Sequence, residues 1–355
     1  MQITLDPLMK KLLDFAIERK ASDLHLTVNI PPMVRIDGKL SPVPSEAELS
    51  SEAVSRLIQS FMTQEQLERL KVRKEVDFSF GYQTTRFRTN SYFQKGNMAA
   101  SLRLIPKLIK TLQELGLPPL LEKFTNASQG FVVITGPTGH GKSTTLAAMI
   151  NHINHARAEH IVTIEDPIEY VFEHEKSIVS QREVGSDTNS FARALRSSLR
   201  EDPNVVLIGE MRDLETIDAA LTLAETGHLV FTTLHTNSAS QTADRIVDVF
   251  PPYQQQQVRM QLANVLLGVV SQRLIPRTSG GRIVACEIMV SNSAVQSTIR
   301  EGKTHQLPNI IQTSASEGMI TLDKVLAELV SKGEITIDNA LTWALDPKAF
   351  KMMVY

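Results

Sequence analysis

The chain has 355 residues, enough for about two domains at the ~150 residues each that globular proteins favour. Its 42% hydrophobic and 21% charged residues exclude wholesale disorder, and a net charge of −2, from 37 basic and 39 acidic residues, leaves no surplus for a long nucleic-acid track. A single cysteine, Cys286, excludes an internal disulfide or a multi-cysteine metal site, and the absence of a signal-peptide core or of an apolar run near ~18 residues predicts a cytosolic protein.

Leu5, Leu8, Leu12, Phe15 and Ala16 recur at helical spacing and predict a first helix. DLHLTV then alternates as a strand, and Asp37-Gly38 between VRI and KLSPV predicts a hairpin. A helix follows from about Ser51, and Thr63 with Gln66 has the spacing of a capping box, so another helix starts there. VDFSFGY, RFRTNSYFQKG and MAASLRLI read as strands, giving an α+β first unit. Pro106, Pro118 and Pro119 bracket a connector. Beyond Gly130, the runs FVVIT, HIVTIED, NVVLIGE, HLVFTTLH and RIVACEIM alternate with helical stretches, the pattern of an α/β unit with a mostly parallel, buried sheet. The carboxyl end reads as two helices broken at Gly333.

GFVVITGPTGHGKSTTLAAMI carries G-x-x-x-x-G-K-S at Gly136, Gly141, Lys142 and Ser143, after a strand and opening a helix. Glycines let backbone N–H groups turn inward around phosphates, and a helix start adds a favourable dipole. In that chemistry Lys142 reaches the β- and γ-phosphates and Ser143 ligates Mg²⁺. The pattern predicts a nucleotide site. Phosphoryl transfer also needs an acid for the metal shell and a group that orients or deprotonates water. Glu165 and Asp166 follow one apolar run and Glu210 another, with Arg212 and Asp213 behind it, and ligands of open α/β sheets sit beyond the carboxyl ends of strands. His235 follows the run LVFTTL at that same end, whereas His228 precedes it.

The segments GPTGHGKSTT, IVTIEDPIEY and LREDPNVVLIGEMRDLETIDAALTLAETGHLVFTTLHTN, with ASDLHL, VRIDGKL and RFRTNSYFQ before them and REGKTHQLPNIIQTSASEGMITLD after, resemble the secretion ATPase superfamily. Within it the resemblance is to the retraction ATPases of type IV pili. It implies a PAS-like domain over residues 1–105, a linker over 106–118, a RecA-like P-loop ATPase domain with carboxyl-terminal helices over 119–355, and a homohexameric ring using ATP and Mg²⁺. By the same resemblance Gly136, Pro137, Thr138, Gly139, His140, Gly141, Lys142, Ser143 and Thr144 form a Walker A motif, and Glu165-Asp166 fall in an Asp box. Glu210 becomes a Walker B acid supporting Mg²⁺, His235 a His-box residue and Glu165 the water activator; the roles of the two glutamates are exchangeable. Arg86, Arg88 and Arg103 match amino-terminal arginines that reach the nucleotide, and equally fit surface charges on strands.

Two positions depart from the pattern: His140 stands where serine is usual, and Gln296 in AVQSTIREGK replaces the arginine of a segment linked to retraction. The implied partners are an inner-membrane pilus platform protein and an accessory paralogous ATPase ring, with the chain at the cytoplasmic face of the inner membrane, at most peripheral to it, and no nucleic acid. Competing readings are a pilus-assembly or type II secretion ATPase, a PilU-like accessory ring subunit that hydrolyses little, and a RecA-like nucleic-acid motor. The first carries a longer amino-terminal region and a four-cysteine zinc module, which the short leader and lone cysteine argue against. Elsewhere plainer roles are expected: a solvated helix face for His152 and His155, a helix surface for Gln254–Gln257, burial for Cys286, packing of the last helix pair for Trp343, and amphipathic packing for the first helix.

Overall fold

The computed structural model describes residues 5–36, 38–83, 85–105 and 108–354. Asp37 and Pro106, parts of the expected hairpin turn and connector, lie outside them. The chain divides into two units, Met1–Leu108 with Pro167–Val171, and Ile109–Asp166 with Phe172–Tyr355.

In the first unit, α1 (Pro7–Glu18) starts at Asp6, whose side chain accepts from the Leu8 amide, and buries Met9, Leu12, Leu13 and Ala16 along one stripe. It is the amphipathic packing expected of that helix. Strands β1 (Asp23–Leu26), β2 (Met33–Ile36) and β3 (Lys39–Pro42) precede α2 (Ser51–Ser60) and α3 (Gln64–Arg73). Thr63 and Gln66 close a reciprocal capping box at the start of α3, as their spacing predicts. The long meander β4 (Glu75–Tyr82), β5 (Thr85–Gln94) and β6 (Asn97–Ile105) completes a six-stranded antiparallel sheet of order β3-β2-β1-β6-β5-β4. Its core is a row of stacked rings, Phe78, Phe61, Phe80 and Phe87, with Leu24, Leu57 and Leu102 around them.

The second unit opens with α4 (Leu120–Thr125), β7 (Gly130–Thr135) and α5 (Lys142–Ala156). It continues through β8 (His160–Glu165), β9 (Ile178–Glu183), α6 (Phe191–Ser198), β10 (Val205–Ile208), α7 (Leu214–Glu225) and β11 (Leu229–Leu234). Then follow α8 (Ala239–Asp248), α9 (Pro252–Val265), β12 (Leu266–Pro276), β13 (Arg282–Val290), α10 (Ser293–Arg300) and α11 (Leu307–Thr313). The sheet order is β13-β12-β7-β11-β10-β8-β9, parallel throughout except for the antiparallel edge pair β12–β13. Every residue of β7, β10 and β11 is buried, because helices cover both faces of the sheet and leave no polar side for alternation.

Strands β9 and β12 were not among the five apolar runs. β9 is an edge strand with polar residues along it, and β12 follows directly on the mainly apolar last turn of α9, so no turn residue marks its start. Around Gly333, in the left-handed region at φ 69°, α12 (Leu322–Ser331) gives way to α13 (Ile337–Trp343), as expected; a further helix, α14 (Pro347–Val354), follows. These three helices share a small core with Ile275 and Ala285, in which Trp343 is partly buried. Cys286 is buried, which pushes its thiol up to about 12 and makes it inert. Gln254–Gln257 lie on α9, on or near its surface. His155 bonds the Asn151 carbonyl of its own helix, and no cluster of metal-ligating side chains occurs among the described residues.

Candidate nucleotide site

The phosphate loop, Glu165, Glu210 and His235 gather at the carboxyl edge of the second sheet. Strand β7 ends at Thr135 and the chain turns through Gly136–Gly141 into α5. Gly136 has φ 138°, and a Cβ there would sit 2.3 Å from the Gln272 carbonyl oxygen, so only glycine fits this close passage beside β12. Gly141, at φ 83°, occupies the N-cap of α5 and brings no capping side chain, so no side chain competes for the amides of the first turn, where Ser143 and Thr144 stand. Lys142 is 8% exposed and folds back over the loop: its Nζ donates to the Gly136 carbonyl at 2.8 Å and the Pro137 carbonyl at 3.0 Å. Thr138 and Gly139 form the tip, with open space where a Gly139 side chain would be. His140 points away from the loop. Its Nδ1 accepts from the Leu274 amide at 3.0 Å and its ring meets Trp343 edge-on at a centroid distance of 4.7 Å.

Strand order places β11 beside β7, so the residue after β11 is next to the loop. His235 Nδ1 lies 3.4 Å from Lys142 Nζ, and its Nε2 lies 3.6 Å from Glu210 Oε2. Burial, reinforced by the Lys142 charge and only partly offset by Glu210, holds the imidazole below the ordinary histidine value. Because an ammonium only donates, Nδ1 is the acceptor and the neutral ring carries its proton on Nε2, toward Glu210. Glu210 follows β10 and is also held by Arg212 Nε at 2.8 Å. Asp213, next along, caps α7 by accepting from the Thr216 amide. His228, at the other end of β11, bonds the Leu223 carbonyl and takes no part in the site.

Glu165 closes β8, 8% exposed, with Oε1 accepting from Thr163 Oγ1 at 2.7 Å and Gln181 Nε2 at 3.4 Å. The Gly209 amide bonds the Ile164 carbonyl, and Gly209 packs over the Glu165 backbone, which brings Glu165 and Glu210 to adjacent strand ends. Threonines fix the loops: Thr135 Oγ1 lies 2.7 Å from Thr236 Oγ1 and accepts from the Thr236 amide, and Thr233 Oγ1 donates to the Gly209 carbonyl at 2.6 Å. Thr163, Gln181, Thr135, Thr236 and Gln272 were not found by sequence reasoning. For Thr135, Thr163 and Gln272 the only signal is a polar side chain inside a largely buried strand; Gln181 stands on the polar edge strand β9 and Thr236 in the loop after β11, where a polar residue is no signal at all.

Arg86, Arg88 and Arg103 stand in the first unit, on β5 and β6, with Arg88 and Arg103 directly paired across the ladder. Arg86 donates to Ser79 Oγ, Arg88 pairs with Glu169 at 3.3 Å, and Arg103 pairs with Asp23 at 3.0 Å.

A phosphate loop at the carboxyl edge of a parallel sheet, faced by a histidine and two strand-end carboxylates, defines a RecA-like P-loop fold. The family model for Type II/IV secretion system proteins matches residues 2–342, and the chain belongs to that family. It is 48% identical over 341 residues to the type IV pilus retractation ATPase PilT of Pseudomonas aeruginosa, spanning 96% of this chain and 99% of that protein. To the type IV pilus ATPase PilU of the same organism it is 39% identical over 347 residues, spanning 97% and 91%. A crystal structure of the pilus retraction motor PilT with bound ADP superposes with a TM-score of 0.91 at 48% identity, covering 96% of this chain and 98% of that one.

Proposed function

We propose that the chain binds ATP in the Gly136–Thr144 loop, hydrolyses it to ADP and phosphate, and works as a homohexameric motor that retracts a type IV pilus. The observation that carries the reading is the run Lys142–His235–Glu210, which joins the phosphate loop to a strand-end acid through a neutral imidazole. Its near full-length likeness to the retraction ATPase points the same way.

The chain is an ATP hydrolase. Lys142 exchanges its bonds to the Gly136 and Pro137 carbonyls for the β- and γ-phosphate oxygens, while the loop amides and the start of α5 receive the remaining charge. The Ser143 hydroxyl and Glu210 carboxylate are the hard oxygen donors that suit Mg²⁺, which supplies charge neutralisation at the phosphates. Glu165, positioned through one oxygen by Thr163 and Gln181, takes the proton of the attacking water; its place on the strand next to Glu210 suits either residue to either role. His235 holds Glu210 and senses the γ-phosphate.

The domain division that goes with this reading is residues 1–105, a linker over 106–118 and the ATPase domain over 119–355. In this reading the arginines of the amino-terminal domain that serve the nucleotide are among Arg86, Arg88 and Arg103, and those that do exchange their present partners for phosphate. The ring works against an inner-membrane platform protein at the cytoplasmic face of the membrane, alongside an accessory paralogous ring. No helix among the described residues is long and apolar enough to cross a membrane, in keeping with peripheral attachment. Gln296, on α10 where the retraction-linked segment has arginine, favours one second reading, an accessory ATPase of the same machinery.

The reading is tested with Lys142→Ala and Glu210→Ala. Lys142→Ala is expected to lose nucleotide binding, measured by fluorescent ADP titration. Glu210→Ala is expected to keep binding while turnover falls by about 10²-fold or more, the scale of losing one electrostatic group in a phosphoryl-transfer site. Hydrolysis at the wild-type rate in Lys142→Ala would sink the assigned site.

A further inference from the structure

We propose that Gln272, on β12, is a positioning residue that sets the phosphate loop in its nucleotide-accepting shape; this rests on the reading of that loop as the ATP site. Gln272 is 2% exposed, and its carboxamide is spent on the loop and on the helix the loop opens. Nε2 donates to the His140 carbonyl at 2.7 Å, and Oε1 accepts from Thr145 Oγ1, in the first turn of α5, at 2.7 Å. Two residues along, the Leu274 amide donates to His140 Nδ1 at 3.0 Å, so both the backbone and the ring of His140 are anchored on β12. The Gln272 carbonyl is the atom that a side chain at Gly136 would strike, and it is pinned in turn by Arg273, whose guanidinium also donates to the Asn237 carbonyl at 2.9 Å. The same short stretch of β12 therefore fixes both ends of the loop, Gly136 and His140–Gly141.

The consequence for binding follows from the geometry of a trans peptide. The carbonyl of His140 and the amide of Gly141 belong to one plane and point in opposite directions. Holding the carbonyl outward on Gln272 aims the Gly141 N–H away from β12, the orientation a phosphate cradle requires. Stability alone gives little reason for the residue, since a buried carboxamide gains little over an apolar side chain of similar size once its desolvation is counted. The polar group is retained for the direction it gives the loop.

The test uses the full chain. Gln272→Glu keeps nearly the same shape and can still accept from Thr145, but as a carboxylate, above the pH at which it ionises, it cannot donate to the His140 carbonyl. Thr145→Val removes the hydroxyl on the other side. The readouts are Mg²⁺-dependent titration with mant-ADP, the separate KM and kcat of ATP hydrolysis, and the melting temperature. Loss of one buried, functionally aimed hydrogen bond predicts that Gln272→Glu weakens mant-ADP binding about tenfold and raises KM more than it lowers kcat, with about a threefold weakening for Thr145→Val. If Gln272→Glu lowers the melting temperature but binds within about twofold of the wild type, its role is packing and the proposal falls. Should Gln272→Glu not fold, Thr145→Val decides on the same terms, and wild-type binding in it overturns the proposal. Lys142→Ala separates the two levels: if it retains binding, the loop is not the nucleotide site; if it loses binding while the Gln272 and Thr145 variants do not, only the present inference fails.

Discussion

His235 sits between a cation and an anion, and its protonation state decides what it can do. The neutral ring accepts from Lys142 and presents Nε2–H to Glu210; a second proton would place two cations 3.4 Å apart. His140 and His25 are held below the ordinary histidine value as well, in each case chiefly by burial. The sign of the linked stability follows. Near the ordinary value of about 6.5 the unfolded chain takes up these protons before the folded chain does, so stability is complete above that pH and is lost as pH falls through it. Two outcomes are expected: a melting temperature that drops between about pH 7 and about pH 5.5, and a His235 proton-NMR titration with its midpoint below about 6.5. A midpoint above the ordinary value would mean that Glu210, rather than burial and Lys142, governs the ring.

At the scale of elements, the loop glycines divide by what surrounds them. A Cβ on Gly136 would lie 2.3 Å from the Gln272 carbonyl oxygen, whereas Gly139 faces open space at φ 80°. Gly139→Ala is therefore expected to cost only the left-handed strain of about 1–2 kcal/mol. Gly136→Ala must displace β12 or the loop and is expected to lose nucleotide binding altogether; parallel melts and mant-ADP titrations of the two variants check the contrast. In the first unit, Thr63→Ala removes one half of a closed capping box and is expected to lower stability by about 1 kcal/mol in chemical denaturation.

These same elements show what could be read in advance. The loop, Glu165, Glu210 and His235 were legible because strand ends and glycine spacing are local signals, and parallel pairing carries them to one edge of the sheet. Gln272 was not, because the last turn of α9 runs into β12 with no turn residue between them and the partners of Gln272 lie 127 and 132 residues away. The Trp343–His140 contact was hidden for the same reason: a helix near the carboxyl end returning to the phosphate loop leaves no pattern in the residues between them.

For the whole molecule, each unit has a core of its own, one built on an antiparallel sheet and one on a parallel sheet, and the residues of the phosphate-loop site all belong to the second. The proposed ring would repeat this site once in every chain. The most direct test is steady-state Mg-ATP hydrolysis by the full chain across a protein-concentration series, with molecular mass read in parallel. Turnover per chain is expected to rise as hexamers form and to vanish in Lys142→Ala. Hexamers that bind ATP yet barely turn it over would contradict the proposed motor.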